Sequence, residues 1–129
     1  MNSIDTNDVV RLIVRDDPAQ SAIALDSLDQ GVFPTSGVWI ETEWVLRSGY
    51  DWSRQRIAMA FADLLKTGKL AVPSPDRLRW AVKRYTPGAD WVDMLHLIDS
   101  AALERFLTFD PGLSTQAGSS PPIPVQLLS

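Results

Sequence analysis

The sequence predicts an α/β fold built on a short parallel sheet. Short strand candidates recur at residues 1–4, 32–34, 70–72 and 106–109. Between them lie segments with helical periodicity, most of which open on an Asp or Ser and several of which close on a Gly. Strands that alternate with helices of ten or more residues are the pattern of a parallel sheet. The chain has 129 residues, the length of one domain, and shows no internal repeat or boundary. A single domain over residues 1–129 is therefore expected.

Residues 1–4 form a weak first strand that runs into Asp5-Thr6-Asn7. Val9, Val10, Leu12, Ile13 and Val14 follow as an apolar run of helical length. Asp17 with Pro18 signals a helix start, cap and then first-turn proline, and Gly31 a stop. Ala22, Ile23, Ala24, Leu25 and Leu28 supply that helix's stripe. After the strand at 32–34, Ser36 is expected to cap a helix ending near Gly49. Ser53 caps the next, with Ile57, Ala60, Phe61, Leu64 and Leu65 on its apolar face and Gly68 closing it. Residues 70–72 read as a third strand. Ser74 and Pro75 start a helix with Leu78, Ala81, Val82 and Tyr85 inward, ended by Pro87-Gly88. Asp90 caps a strongly apolar helix expected to reach about Glu104. The fourth strand, 106–109, closes on Asp110-Pro111-Gly112. Residues 114–124 are rich in Gly, Ser and Pro and read as loop, with 125–129 an edge strand.

Composition excludes several chemistries. Without cysteine there is no disulfide scaffold, no Cys-ligated zinc, no Fe–S cluster and no thiol nucleophile. The single histidine, His96, excludes most His-rich metal sites, and is read as a packed, hydrogen-bonded residue. No apolar run is long enough to span a bilayer and no secretory signal is visible, so a soluble, cytoplasmic protein is expected. The net charge of −4 conceals an uneven distribution. Residues 1–46 carry eight acids and two arginines, residues 47–84 nine basic residues and three acids, and residues 85–129 five acids and one arginine. An acidic pole beside a basic belt suits cations at one and an anionic partner at the other.

Sites in open parallel sheets form outside the carboxyl ends of strands. Two such ends carry an aspartate, Asp5 and Asp110. Two further acids lie within apolar helices, Glu43 among Trp39, Ile40 and Leu46, and Asp93 near Leu97. Trp39 and Trp44 are read as core. Each acid also has a plain structural reading. Asp5 can cap a helix, Asp93 can serve the first turn of the helix opened by Asp90, and Asp110 can hold a turn. Glu43 in mid-helix needs a partner, and Arg47 at i+4 is the simplest one. The alternative is one acidic pocket for a divalent cation. Oxygen donors without thiols suit Mg²⁺, or Mn²⁺, over zinc or copper. Such a site hydrolyses phosphodiesters through a metal-bound water. An aspartyl phosphotransferase is disfavoured, because Asn7 stands where its second acid belongs.

Four segments in order resemble the successive motifs of PIN domains, and most of all the VapC-type toxins of prokaryotic toxin–antitoxin pairs. They are Asp5-Thr6-Asn7, Glu41-Thr42-Glu43-Trp44-Val45-Leu46-Arg47, Gly88-Ala89-Asp90-Trp91-Val92-Asp93-Met94-Leu95-His96-Leu97 and Thr108-Phe109-Asp110. The likeness covers roughly residues 1–113. Asp8, where the family usually has an aliphatic residue, departs from it, as do a polar first strand and the lack of a basic residue after Asp110. The resemblance implies a single PIN-like domain, a three-layer sandwich whose short central parallel sheet is flanked by helices. It implies a magnesium-dependent endoribonuclease with Asp5, Glu43, Asp93 and Asp110 in the acidic pocket and Asp5 and Asp93 as primary metal ligands. It further implies a homodimer and a small antitoxin protein as inhibitor. Thr6, Asn7 and Thr108 would orient the carboxylates. Arg47, Arg54, Arg56, Arg77 and Arg79 are candidate RNA contacts, with Trp52, Trp80 and Tyr50 as candidate stacking platforms. The competing expectation is a degenerate PIN-like binding module that acts through its interface without catalysis.

Overall fold

Five helices begin where a short polar side chain can take up an unpaired backbone N–H. In the computed structural model, which describes residues 1–129, Asp5, Asp17, Ser53, Ser74 and Asp90 each accept a hydrogen bond from the amide three residues on, at 2.9–3.3 Å. They open α1 (Thr6–Val14), α2 (Pro18–Leu28), α4 (Arg54–Lys66), α5 (Pro75–Tyr85) and α6 (Trp91–Asp99). The remaining elements are β1 (Asn2–Ser3), β2 (Val32–Phe33), α3 (Ser36–Trp44), β3 (Phe106–Thr108), α7 (Leu113–Ala117) and β4 (Val125–Leu127). The fold is mixed α/β, with seven α-helices and short parallel strand pairs. No helix is long and apolar enough to cross a membrane.

The chain falls into two compact units, Met1–Pro73 and Ser74–Ser129. In the first, β1 pairs with β2 in parallel, Asn2 opposite Val32 and Ser3 opposite Phe33. Leu70 adds a single parallel bridge to Val32 on β2. The strand expected at 70–72 is thus one bridge, continued by the Ala71 amide donating to the Val32 carbonyl at 2.8 Å. Helix α1 packs on α2 and α3, and buries Val9, Val10 and Leu12. Trp39 and Phe61 meet edge to face at 5.3 Å within a core that includes fully buried Leu46 and Ile57. Thr35, not Ser36, precedes α3. Beyond Trp44 the helix continues as a π-helical turn, Val45–Gly49, with the Tyr50 amide bonded to the Val45 carbonyl. Trp44 projects outward, 60% exposed, which corrects its assignment to the core. On α2 only Ser21, Ala24 and Leu28 are buried and Ile23 is exposed. That helix is apolar nearly all round, so its pattern selects no face.

In the second unit, β3 and β4 pair in parallel, Phe106 opposite Val125 and Thr108 opposite Leu127. Helices α5 and α6 pack together, with Tyr85 against Trp91 edge to face at 5.4 Å. Leu78, Ala81, Val82 and Tyr85 face inward as their spacing predicts. Helix α6 stops at Asp99 rather than near Glu104. The Ser100 hydroxyl donates to the His96 carbonyl at 2.8 Å, and turns carry the chain onward. Such local side-chain bonds compete with helix continuation.

Residues 113–117 form α7, where loop is expected from composition. Leu113 and Ala117 are buried, and Arg84 on α5 donates from Nε to the Gln116 carbonyl at 2.7 Å and from Nη2 to the Thr115 carbonyl at 3.2 Å. This guanidinium satisfies carbonyls that a helix end otherwise leaves unpaired. Gly118 follows at φ 80°, ψ −160°, a region open to glycine almost alone. A Cβ there would lie 2.9 Å from Arg84 Cζ. Gly118→Ala should therefore lower stability by about 2 kcal/mol in urea unfolding. A loss below about 0.5 kcal/mol would show that α7 and its cap relax freely.

The expectation of a central parallel sheet is thus met only in its components. Parallel pairing is present, as β1 with β2 and as β3 with β4.

Candidate functional site

Asp5 follows the buried Ile4 and caps α1, its Oδ1 accepting from the Asp8 amide at 3.1 Å. The residue is exposed, and one turn of helix brings Asp8 beside it. Partial shielding of the Asp8 carboxyl, followed by the like charge of Asp5, raises the Asp8 pKa above its ordinary value. Thr6 and Asn7, expected to orient Asp5, occupy the first turn of α1. Thr6 is half-buried and Asn7 exposed.

Glu43 is buried on α3, and the Arg47 guanidinium reaches it across one turn. Arg47 donates from Nε to Oε2 at 2.7 Å and from Nη2 to Oε1 at 3.3 Å. The helical spacing favours this pair, and the two-point geometry offsets the cost of removing a carboxylate from water. Both Glu43 oxygens are engaged in it. Arg47, a candidate RNA contact by sequence, is thereby committed to Glu43. Arg56 lies over the Trp52 ring at 3.8 Å, so one face of that candidate stacking platform carries a cation. Tyr50, half-buried, donates from its hydroxyl to Asp16 Oδ2 at 3.4 Å, and Arg54 is half-buried at the start of α4.

In the second unit, Asp93 stands in the first turn of α6, half-buried, its amide donating to Asp90 Oδ1 at 2.9 Å. Asp90 is the cap, as its spacing predicts, which leaves the Asp93 carboxylate without that duty. Burial raises the Asp93 pKa first, then the like charge of Asp90 and, more weakly, that of Asp110, while His96 acts in the opposite direction. The influence of Asp110 on Asp93 is long-range in sequence, and no local spacing could supply it. His96 is exposed rather than packed, which corrects the sequence reading. Asp110 closes β3 in a tight turn. Its amide donates to Thr108 Oγ1 at 3.0 Å and its Oδ1 accepts from the Gly112 amide at 2.8 Å. Thr108 thus orients Asp110 through the backbone. Arg77 and Arg79 are exposed on α5, Arg79 paired with Asp76 at 3.1 Å, and Trp80 is half-buried.

The four predicted acids thus occupy different settings. Asp5 neighbours Asp8, Glu43 is paired with Arg47, and Asp93 lies in the field of Asp90 and Asp110. Within neither unit do three or more His, Asp or Glu side chains converge as a metal-binding group. The chain matches no protein-family model, no curated protein and no solved structure. Sequence reasoning passed over Gln116, whose side-chain Oε1 accepts from the Asp90 amide at 3.3 Å. Only its position in a Gly/Ser/Pro-rich stretch was readable, and that pointed to loop.

Proposed function

We propose that this protein is a magnesium-dependent endoribonuclease of PIN type, the toxin of a toxin–antitoxin pair. One observation carries the reading. Asp93 is raised by partial burial and by the charges of Asp90 and Asp110. Like charges held together in a partly dry setting are what a divalent cation relieves. The donor chemistry fits a hard ion, since carboxylates predominate, the chain has a single imidazole and it has no thiol. In this reading Asp5 and Asp93 are the magnesium ligands that the likeness to PIN domains implies. Glu43, with both oxygens on Arg47, is held as one half of an ion pair rather than as a ligand. When bound, magnesium supplies an acidified water and neutralises charge on the scissile phosphate. The chain's own contributions are to hold Asp5 and Asp110 by their backbone bonds and to gather phosphates through Arg54, Arg56, Arg77 and Arg79. The rest of the reading is a cytoplasmic homodimer inhibited by a small antitoxin protein.

A specific observation favours the second reading, a PIN-like binding module without catalysis. The Glu43–Arg47 pair neutralises one of the four acids, as a chain released from metal binding would allow. Incubation of cellular RNA with the protein in Mg²⁺ or Mn²⁺ separates the two. Cleavage should fall about 100-fold or more with EDTA or with Asp5→Asn, the loss of several kcal/mol of transition-state stabilisation. Cleavage indifferent to both excludes the metal mechanism, and RNA binding without cleavage favours the module.

A further inference from the structure

Most arginines of this chain spend their N–H donors on the chain itself. Arg11, Arg47 and Arg79 bind carboxylates, Arg15 and Arg84 bind backbone carbonyls, and Arg105 binds the Gln126 side chain. Arg56 differs. Its Cζ lies 3.8 Å from the centre of the Trp52 ring, and its side chain enters no ion pair or hydrogen bond. A guanidinium nitrogen aimed at the ring would hold Cζ a bond length further out. At this distance the group rests on the indole by its face, and the donors around its edge stay open. The ring beneath it is fixed. Trp52 is half-buried, and its amide donates at 3.0 Å to the carbonyl of Leu46, itself fully buried. Asp51 turns the chain just before it, at φ 57°, and Ser53 caps α4 just after it. Helical side chains lean toward the N-terminus, so Arg56, four positions on, reaches back over the indole.

We propose that Trp52 is a positioning residue that holds Arg56 as a preformed grip for one backbone phosphate of single-stranded RNA. This rests on the RNA-binding part of the reading above, and it gives that face of the indole to a guanidinium rather than to a base. A long side chain loses rotamer freedom when it closes on a ligand, and one already stacked on a ring has less to lose. The open edge of a guanidinium matches two oxygens of one phosphate. The local charge suits the same partner, since residues 47–84 carry nine basic residues against three acids.

The test follows binding of a short fluorescein-labelled single-stranded RNA to the full chain by anisotropy, in EDTA so that the strand stays whole, at about 50–200 mM KCl. Each phosphate contact to a single strand adds about 0.7 to the slope of log affinity against log salt. Arg56→Gln should lower the slope by about that amount and weaken binding about three- to tenfold at low salt. Trp52→Leu keeps the charge but frees it, and should weaken binding about threefold. Trp52→Phe, which leaves a ring under the guanidinium, should recover most of that loss. In an Arg56→Gln background Trp52→Leu should change nothing further, because the group it positions is gone. An indole that stacks on bases, or that only supports the fold, would weaken binding equally in both backgrounds, and that result overturns the proposal. So does a salt slope unchanged by Arg56→Gln while the unmodified chain binds, in which case the RNA reading stands and only the role of this pair fails. If the unmodified chain does not bind the RNA, both fall. If the expected slopes and coupling appear but Mg²⁺ brings no cleavage, the pair keeps its role in a binding module and the nuclease reading fails.

Discussion

Asp93→Asn should raise the melting temperature of the metal-free protein while abolishing RNA cleavage. The two effects have one cause. The Asp93 pKa is raised by burial, Asp90 and Asp110. An acid held above its unfolded pKa binds its proton more tightly in the folded state. Its contribution to stability is therefore full below the unfolded value, about 3.9, and is lost as pH rises through the folded-state pKa. At neutral pH the ionised carboxylate opposes folding, and asparagine removes that opposition. Helix α6 retains its cap, because the Asp90 side chain bonds the backbone amide of residue 93 whatever side chain stands there. The negative charge lost from the first turn works against the gain, since it favours the helix dipole. The net rise should be about 1–4 °C at pH 7, within the response to 1 kcal/mol in a chain of this size. It should disappear near pH 3, where both side chains are neutral. Magnesium should stabilise the unmodified protein and not the variant. A fall in melting temperature at pH 7 would mean that the charge of Asp93 serves the helix more than it strains the turn.

Arg47→Met should have the larger effect on stability. The Glu43 side chain is 6% exposed and Arg47 covers both of its oxygens, while Arg47 is itself 49% exposed. Breaking a fully buried pair costs about 3–5 kcal/mol, because a charge is left in a poorly solvated place. With one partner half in solvent, a loss of about 2–3 kcal/mol is expected. Adding Glu43→Gln to Arg47→Met should recover part of it, since the stranded charge is then gone. Urea unfolding of the two single variants and the double variant closes the cycle. Additive effects would mean that the pair carries no coupling energy and that Glu43 is held by other contacts.

Much of this fold was legible because its punctuation is local. Asp5, Asp17, Ser53, Ser74 and Asp90 cap helices through bonds that span three residues, and such bonds are written in the sequence. The inward face of α5 was equally readable, since Asp76, Arg77, Arg79, Lys83 and Arg84 occupy most of the rest of that helix. What the sequence hid was decided at long range. The α7 helix exists with Arg84 on its carbonyls, 32 positions away from Gln116, and composition alone read its residues as loop. Strand pairing is likewise non-local, so a run of apolar residues at 70–72 could not reveal that only Leu70 would bridge. Ile23 and Trp44 sit on helices apolar on several sides, where periodicity cannot choose which residue faces out. At the site, the Glu43–Arg47 pair followed from i+4 spacing, whereas the influence of Asp110 on Asp93 did not follow from any spacing.

The turn geometry also dictates how these acids should be probed. Asp5 and Asp110 each use one oxygen to bind a backbone amide, at 3.1 Å and 2.8 Å. Charge and scaffold are therefore separable at these positions. An amide side chain preserves the acceptor oxygen and erases only the formal charge, whereas alanine would unravel a cap or a bend at the same stroke. Inactivation seen with alanine alone would confound the two causes, and the asparagine series is the informative one.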